Sequence, residues 1–458
     1  MLEKNLDVPV AKKFIFDNKY FLYDTFTNRL FNITKDHFFE ISILEKIGIS
    51  EYVRLPRDNK AYRDIIMLLH KGILRAPFIK EIIHPNTHYL PYLTSRCVND
   101  VVLQVTRECN FRCRYCLYAG NGHVERTHEK INMPWSVAKQ GIDFLFNHSV
   151  DSEKINLSFY GGEPLLNFEL IKKSVEYIES IYWCKKLNYK MTINGSLVTD
   201  YILDFLVDKD FEIVISLDGN STIQNKHRKF FETGNDTFRT VFENVEKIRC
   251  RYNEYFYRNI SFLPVILDDE SYEEVLSFFR MHNILEQQII PLKANLNGID
   301  YINTGIEYSK SFDIESDLDG KAEKTLENCY LNKNRIPASW HHNGQCIPGI
   351  RRLFIDINGY FYPCEKVIEN NSLIIGDVNR GFDLQKIGTF LNVGKLTEKE
   401  CKECWAIRFC EMCISSCLNI EKNELSKTQK NIECKKQKEK ALSYFKRYIK
   451  NKLGGKIK

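Results

Sequence analysis

Between residues 100 and about 300 the chain alternates between two patterns. Short apolar runs that read as strands fall at Val101–Thr106, Ile155–Tyr160, Lys190–Asn194, Ile213–Leu217, Asn259–Leu267 and Gln288–Leu292. Stretches with helical periodicity separate most of them: Pro134–Asn147, Phe168–Tyr182, Asp200–Val207, Thr237–Arg251 and Asp269–Met281. Pro134 and Ser136 suit a helix start. Such alternation requires parallel pairing, because each return to the sheet consumes a crossover. Six strand–helix units without a further pair predict an α/β fold, a partial (β/α)6 TIM-like barrel. Chemistry in such folds lies at the C-terminal ends of the strands.

Unusual residues gather at those ends. Cys109 follows the first strand, and Gly161-Gly162-Glu163-Pro164 follows the second. Asn194-Gly195 follows the third, and Ser216-Leu217-Asp218-Gly219 ends the fourth. Cys109, Cys113 and Cys116 have C-x3-C-x2-C spacing. Three thiolates on one loop can hold three irons of a cubane cluster, leaving the fourth iron for a small molecule. Zinc sites usually pair two knuckles and close with four ligands; here His123 would have to be the fourth. Arg112 and Arg114 read as outward cations, and Tyr115 either packs or lines a pocket beside the cluster. Gly161 and Gly162 allow close backbone approach to a ligand, although a plain strand-to-helix turn would use them too. Asp218 is a candidate catalytic group or a turn-holding one.

Composition bounds the rest. A chain of 458 residues exceeds one ordinary core. Its 65 basic and 60 acidic residues nearly balance, so bulk charge does not call for nucleic acid. The basic excess appears mainly after Glu433. Fifteen cysteines occur without an apolar segment in Met1–Lys12 and without an apolar run of membrane length. Clustered cysteines in a long chain of this kind read as metal ligands in a reducing cytosol, so the expected location is cytoplasmic.

Residues 98 to 300 resemble the radical S-adenosylmethionine (SAM) enzymes. The resemblance runs through Cys109, Cys113 and Cys116, the Gly161–Pro164 run, Asn194-Gly195 and Ser216–Gly219. It implies a [4Fe–4S] cluster whose open iron chelates SAM, and a 5′-deoxyadenosyl radical that removes a substrate hydrogen. It also implies a SAM pocket drawn from Tyr115, Gly161, Gly162, Glu163, Asn194, Ser216 and Arg228. Arg228 would pair bidentately with the SAM carboxylate. An external electron donor, flavodoxin- or ferredoxin-like, is implied as well.

A second cysteine group follows. Cys346, Gly359 and Cys364 form C-x12-G-x4-C; Cys401, Cys404, Cys410, Cys413 and Cys417 follow, and Cys434 stands beyond them. This resembles the SPASM extension of radical SAM peptide-modifying enzymes, which implies two auxiliary [4Fe–4S] clusters. Cys413 and Cys417 depart from the usual pattern, a single C-x3-C. The resemblance assigns Cys346 and Cys364 to a nearer cluster and Cys401, Cys404, Cys410 and Cys434 to a farther one. Cys413 and Cys417 are then left for the nearer. A pair of zinc knuckles is the alternative. Cys97, Cys184, Cys250 and Cys329 have no motif, and Cys329 is a candidate extra ligand.

Residues 1–95 read as a winged-helix-like unit. Lys19–Tyr23 and Arg29–Ile33 form a hairpin, and helical patterns follow near Asp36–Ile47 and Ala61–Lys71. A structural cap would look similar. In peptide maturases such a unit takes up a leader peptide as an added strand, and Lys19–Ile33 would supply the edge. The remaining divisions are 96–310 for the barrel, 311–345 for a bridge, 346–434 for the SPASM segment and 435–458 for a basic helix. Leu442, Phe445, Ile449 and Leu453 would dock that helix. The expected activity is hydrogen abstraction from a ribosomally made precursor peptide bearing a leader, giving a thioether or carbon–carbon crosslink. Formylglycine formation, as in sulfatase maturases, is the alternative within the superfamily. A zinc-ribbon scaffold binding nucleic acid is the alternative outside it. No membrane or nucleic-acid partner is expected.

Overall fold

The computed structural model describes residues 7–76, 79–116, 127–182, 186–266, 271–293, 339–342, 347–419, 422 and 424–454. His123, Cys184, Cys329 and Cys346 lie outside them, as does most of the expected bridge.

The N-terminal unit opens with a three-stranded meander: β1 (Ala11–Phe16), β2 (Lys19–Asp24) and β3 (Arg29–Ile33), in the order β1-β2-β3. The sequence pattern showed the last two strands only. Because β2 is central, the outer edge on that side belongs to β3 rather than to the whole Lys19–Ile33 hairpin. Alternation along β2 sends Leu22 to one face and Phe21 and Tyr23 to the other. Leu22 packs with Ile41 and Leu44 of α1 (Lys35–Ile47) and Ile65 of α2 (Lys60–His70). Thr34 and Asn59 cap these helices by accepting from the backbone N–H groups of His37 and Tyr62.

The alternating region forms a mostly parallel sheet. Its strands are β4 (Asp100–Thr106), β5 (Phe111–Cys113), which lies apart from the sheet, β6 (Ile155–Gly161), β7 (Leu187–Ile193), β8 (Glu212–Ile215), β9 (Arg228–Phe230), also apart, and β10 (Ile260–Phe262). Between them run α3 (Trp135–His148), α4 (Phe168–Ile181), α5 (Asp200–Asp208) and α6 (Phe238–Arg251), with α7 (Ser271–Met281) after β10. All pairings in the order β4-β6-β7-β8-β10 are parallel. The expected strand Asn259–Leu267 breaks at Leu263-Pro264, since proline cannot donate to a ladder. Asn259 ends a helix, and the strand resumes as Val265–Ile266, paired in parallel with Leu292–Lys293. The expected strand Gln288–Leu292 is therefore reduced to this pair and a bridge between Phe262 and Ile289.

The sheet does not stop at β4. Four short strands continue it: β11 (Leu353–Ile355), β12 (Tyr360–Tyr362), β13 (Gly376–Asp377) and β14 (Gly381–Phe382). β11 lies parallel to β4, Leu353 opposite Val101, and the others follow as an antiparallel meander. Every residue of β4 is buried, as expected of a strand with neighbours on both sides.

The last helix, α8 (Lys427–Gly454), starts well before residue 435 and includes Cys434. Phe445 and Ile449 are buried against Phe14, Phe21 and Tyr23, on the meander face opposite α1, with Leu442 beside them. Leu453 is outside the described side chains. Phe445 lies 4.6 Å from Tyr23 and 5.1 Å from Phe409, ring to ring. Phe445→Ala should cost about 3–5 kcal/mol locally. Hydrogen exchange should then rise in β1–β3 with β4–β8 unchanged; unaltered protection of the meander would mean that something else holds it.

Candidate functional site

The loop after β4 is shaped by backbone contacts that glycine alone permits. A Cβ on Gly161 would lie 2.1 Å from the Thr106 carbonyl oxygen, and one on Gly162 would lie 2.1 Å from that of Glu108. The Gly162 N–H donates to Thr106 O at 3.0 Å, and the Glu163 N–H to Glu108 O at 2.8 Å. The two glycines therefore let the end of β6 press on the residues that lead into Cys109. This approach is chain to chain, a use beyond the ligand approach expected of them.

Glu163 is buried and joins two further loops. Its Oε2 accepts from the Asn194 N–H at 2.6 Å, and its Oε1 from the Leu165 N–H at 3.1 Å. Burial raises its pKa to about 7 against these two bonds. Asn194 donates from Nδ2 to Asn110 Oδ1 at 2.8 Å, while its Oδ1 accepts from the Ser196 hydroxyl at 2.7 Å. Asn110 returns a bond to Ser196 Oγ at 2.9 Å. Asn110 and Ser196 carry no sequence signal of their own, and neither was expected here.

β5, which contains Cys113, pairs antiparallel with β9, Cys113 opposite Arg228. Arg228 and Asp218 form a buried bidentate pair: Nε to Oδ2 and Nη2 to Oδ1, both 2.9 Å. Tyr115 donates its hydroxyl to Asp218 Oδ2 at 2.5 Å, and the Val265 N–H donates to Oδ1 at 2.9 Å. The Asp218 N–H is held by Gln224 Oε1 at 2.8 Å. Four donors occupy this carboxylate, which suits a junction better than a proton-transfer group. The Arg228 fork is engaged by Asp218, not left open for the ligand carboxylate the resemblance suggests. Its Nη1 faces Cys113 Sγ at 3.9 Å. Tyr115 is buried beneath Arg228, whose guanidinium lies 5.2 Å from the ring centroid. Ser216 is half-buried, with its N–H on Ile193 O at 2.9 Å.

The cysteines lie in one another's field. Burial pushes the Cys109 thiol up, and neighbouring Glu163, Cys113 and Cys116 push the same way. Burial moves Cys113 to about 12, against the pull of Arg228. The Phe111 N–H donates to Cys109 Sγ at 3.4 Å. Arg114 is exposed as expected, but Arg112 turns back. It caps the Cys109 carbonyl at 2.7 Å and stacks 3.6 Å from the Phe231 ring. Among the described residues no three Cys, His, Asp or Glu side chains converge on one ion. A cubane asks for a different arrangement, one thiolate per iron, and the donor chemistry here fits it. Buried thiols that resist ionisation together become thiolates once iron supplies the countercharge.

Residues 103–281 match the radical SAM superfamily. This stretch is a radical SAM domain. The superfamily implies a [4Fe–4S] cluster and SAM. An uncharacterised protein of Methanocaldococcus jannaschii is 37% identical over 122 residues, 27% of this chain and 39% of that one. The match thus covers well under two thirds of that relative. A cysteine-type anaerobic sulfatase-maturating enzyme of Clostridium novyi is 24% identical over 384 residues, 77% of this chain and 96% of that one. A solved structure described as native anSMEcpe with bound AdoMet and Cp18Cys peptide superposes with a TM-score of 0.55 at 18% identity. It covers 77% of this chain and 99% of that one, and it supports the fold.

Outside the radical SAM domain, Cys410 feels the charges of Cys404, Cys434 and Cys401, so the four cysteines assigned to the farther cluster lie together. Cys417 feels Cys413 and Cys434. Cys417 therefore has one neighbour from each assigned group, Cys413 left for the nearer cluster and Cys434 placed on the farther. Cys364 lies near Arg352, which pairs with Glu365 at 2.6 Å and faces Asp100 at 3.8 Å. A further buried network was missed. Gln104 donates to Glu369 at 2.5 Å, and Arg107 pairs with Glu369 at 2.9 Å. A polar residue inside the apolar run Val101–Val105 was its visible signal.

Two outcomes test this geometry. Asp218→Asn should cost about 3–5 kcal/mol by leaving a buried guanidinium without its partner. SAM binding, SAM cleavage and hydrogen transfer should fall together; a variant that cleaved SAM normally and failed only later would restore Asp218 to a chemical role. Glu163→Ala removes the acceptor of two N–H groups, a loss of about 1–3 kcal/mol. SAM affinity measured by equilibrium dialysis should weaken, and an unchanged affinity would separate the Asn194 loop from the pocket.

Proposed function

We propose that the chain is a cytosolic radical SAM oxidoreductase that modifies a ribosomally made precursor peptide, most simply by forming a thioether or carbon–carbon crosslink. The observation that carries this reading is the attachment of the N-terminal meander to the cysteine-rich segment. Thr25 donates its hydroxyl to Trp405 O at 3.0 Å, and Arg408 donates to the carbonyls of Thr25 and Phe26 at 2.8 and 3.1 Å. Trp405 and Arg408 lie between Cys404 and Cys410. Among the described residues the strand pairing leaves an edge at β3, a template for an added leader strand. A peptide captured there is held against the segment that carries the second cysteine group.

Cys109, Cys113 and Cys116 would hold the cluster that, when bound, supplies the electron for SAM cleavage. Arg228 would face that cluster at Cys113, with Asp218 and Tyr115 fixing its orientation. Gly161, Gly162, Glu163, Asn194 and Ser216 would shape the SAM pocket at the strand ends. Cys346, Cys364, Cys401, Cys404, Cys410, Cys413, Cys417 and Cys434 would supply two auxiliary clusters, which accept an electron from the product radical or hold a substrate sulfur. The reductant would be a flavodoxin- or ferredoxin-like protein. Among the described residues no helix is long and apolar enough to cross a membrane.

A sulfatase-maturase-like oxidation is the second reading, favoured by the extended match to the Clostridium novyi enzyme. Product mass separates the two. Co-expression with small open reading frames encoded beside this one, followed by tandem mass spectrometry, should give a peptide lighter by two hydrogens with its sulfur retained. Formylglycine made from cysteine would lose the sulfur instead. Anaerobically reconstituted protein should carry on the order of 12 irons per chain; zinc in place of iron, with SAM uncleaved, would remove both readings.

A further inference from the structure

Lys430 lies in the first turn of α8 and is fully buried. A lysine is almost never placed there unless its charge is answered. Its Nζ lies 3.3 Å from Cys401 Sγ and hydrogen-bonds Thr397 Oγ1. Thr397 Oγ1 is itself 3.4 Å from Cys401 Sγ, so hydroxyl, ammonium and sulfur form one contact group. Cys434 and Cys417 lie in the same neighbourhood of Lys430. His342 is buried nearby, its pKa lowered by burial first and then by Lys430. The fold has therefore placed a cation where sulfur atoms converge and where the adjoining imidazole adds no positive charge.

Neutral thiols answer a buried ammonium poorly, whereas thiolates on iron answer it well. A cubane with four thiolates is net anionic and gains one more negative charge on reduction. A cation hydrogen-bonded to one of its sulfurs stabilises the reduced form more than the oxidised one. We infer that Lys430 donates to the Cys401 sulfur and raises the reduction potential of the auxiliary cluster held by Cys401, Cys404, Cys410 and Cys434. This rests on the reading above that these four cysteines hold a cluster. Lys430 touches no substrate in this scheme. It acts through Cys401, as a positioning residue for the electron rather than for the peptide.

The test is a redox titration of full-length, anaerobically reconstituted protein followed by electron paramagnetic resonance. Cys109, Cys113 and Cys116 are changed to alanine, so that only auxiliary signals remain. Lys430→Met should leave the iron content unchanged and move one auxiliary midpoint to more negative potential. The expected change is at least tenfold in the reduction equilibrium, or about 59 mV for a one-electron couple. Lys430→Arg should stay near the parent value. If Lys430→Met loses iron, Lys430→Gln, a neutral donor, replaces it in the same titration. Full iron with unmoved midpoints in a neutral variant overturns the inference and leaves the cluster reading standing. Loss of auxiliary iron from both neutral variants but not from Lys430→Arg makes Lys430 an assembly residue and also overturns it. A parent protein without auxiliary iron overturns both.

Discussion

The carboxylate of Asp218 joins parts of the fold that the chain keeps far apart. Its oxygens receive the cluster loop through Tyr115, the strand opposite that loop through Arg228, and the resumed fifth strand through Val265. A bidentate guanidinium–carboxylate pair fixes both distance and orientation, which a point charge does not. Burial makes the arrangement stringent, because removing either partner leaves a charge in low dielectric. The pair thus sets where β9 lies, and β9 in turn sets β5 and Cys113 by register. The position of Cys113, a proposed cluster ligand, is inherited from an ion pair some hundred residues along the chain.

The residues that flank Cys109, a second proposed ligand, are fixed by the opposite means, an absence of side chain. Gly161 and Gly162 bring β6 to the Thr106 and Glu108 carbonyls at distances no Cβ would permit. Glu163 then reaches across to the Asn194 loop, and Asn194 reaches back to Asn110, the neighbour of Cys109. A closed circuit results, from β4 through β6 and β7 to the cysteine loop. Its contacts run from chain to chain, through two glycines and a glutamate that stand together there. These contacts hold the loop in place, and a loop so held lowers the entropic cost of binding at it.

The sequence was most legible where a pattern is local. The apolar runs of β4, β6, β7 and β8 and the periodicity of α3–α6 lie within a residue or a few of the observed bounds, because strand and helix periods are written into neighbouring positions. The cysteine spacing was legible for the same reason. β1 was missed because Lys12 and Lys13 dilute a run of six residues. β11–β14 were missed because strands of two or three residues have no period to detect. The fifth and sixth strands were drawn too long because Leu263-Pro264 interrupts the first of them. At the site, residue types were readable but partners were not. Arg228 near Asp218 suggested a ligand for the guanidinium, and only the fold shows that the aspartate itself takes that place. The same limit applies to Lys430, one lysine among several at the end of the cysteine-rich segment until its burial is seen.

The register of β11 bears on what an auxiliary cluster at Cys364 could do. β11 runs parallel to β4 with Leu353 beside Val101, so Arg352 meets Asp100 at the start of β4. β12 runs back toward that same end, and Cys364 follows it, near Arg352. Cys109 follows the other end of β4. A strand of this length separates its ends by about 20 Å at the usual rise per residue. That separation suits a proposed cluster at Cys364 to receiving an electron, which can travel over such a length where a bond cannot. A thioether remains compatible with this, because the electron and the new bond need not leave from the same side of the peptide.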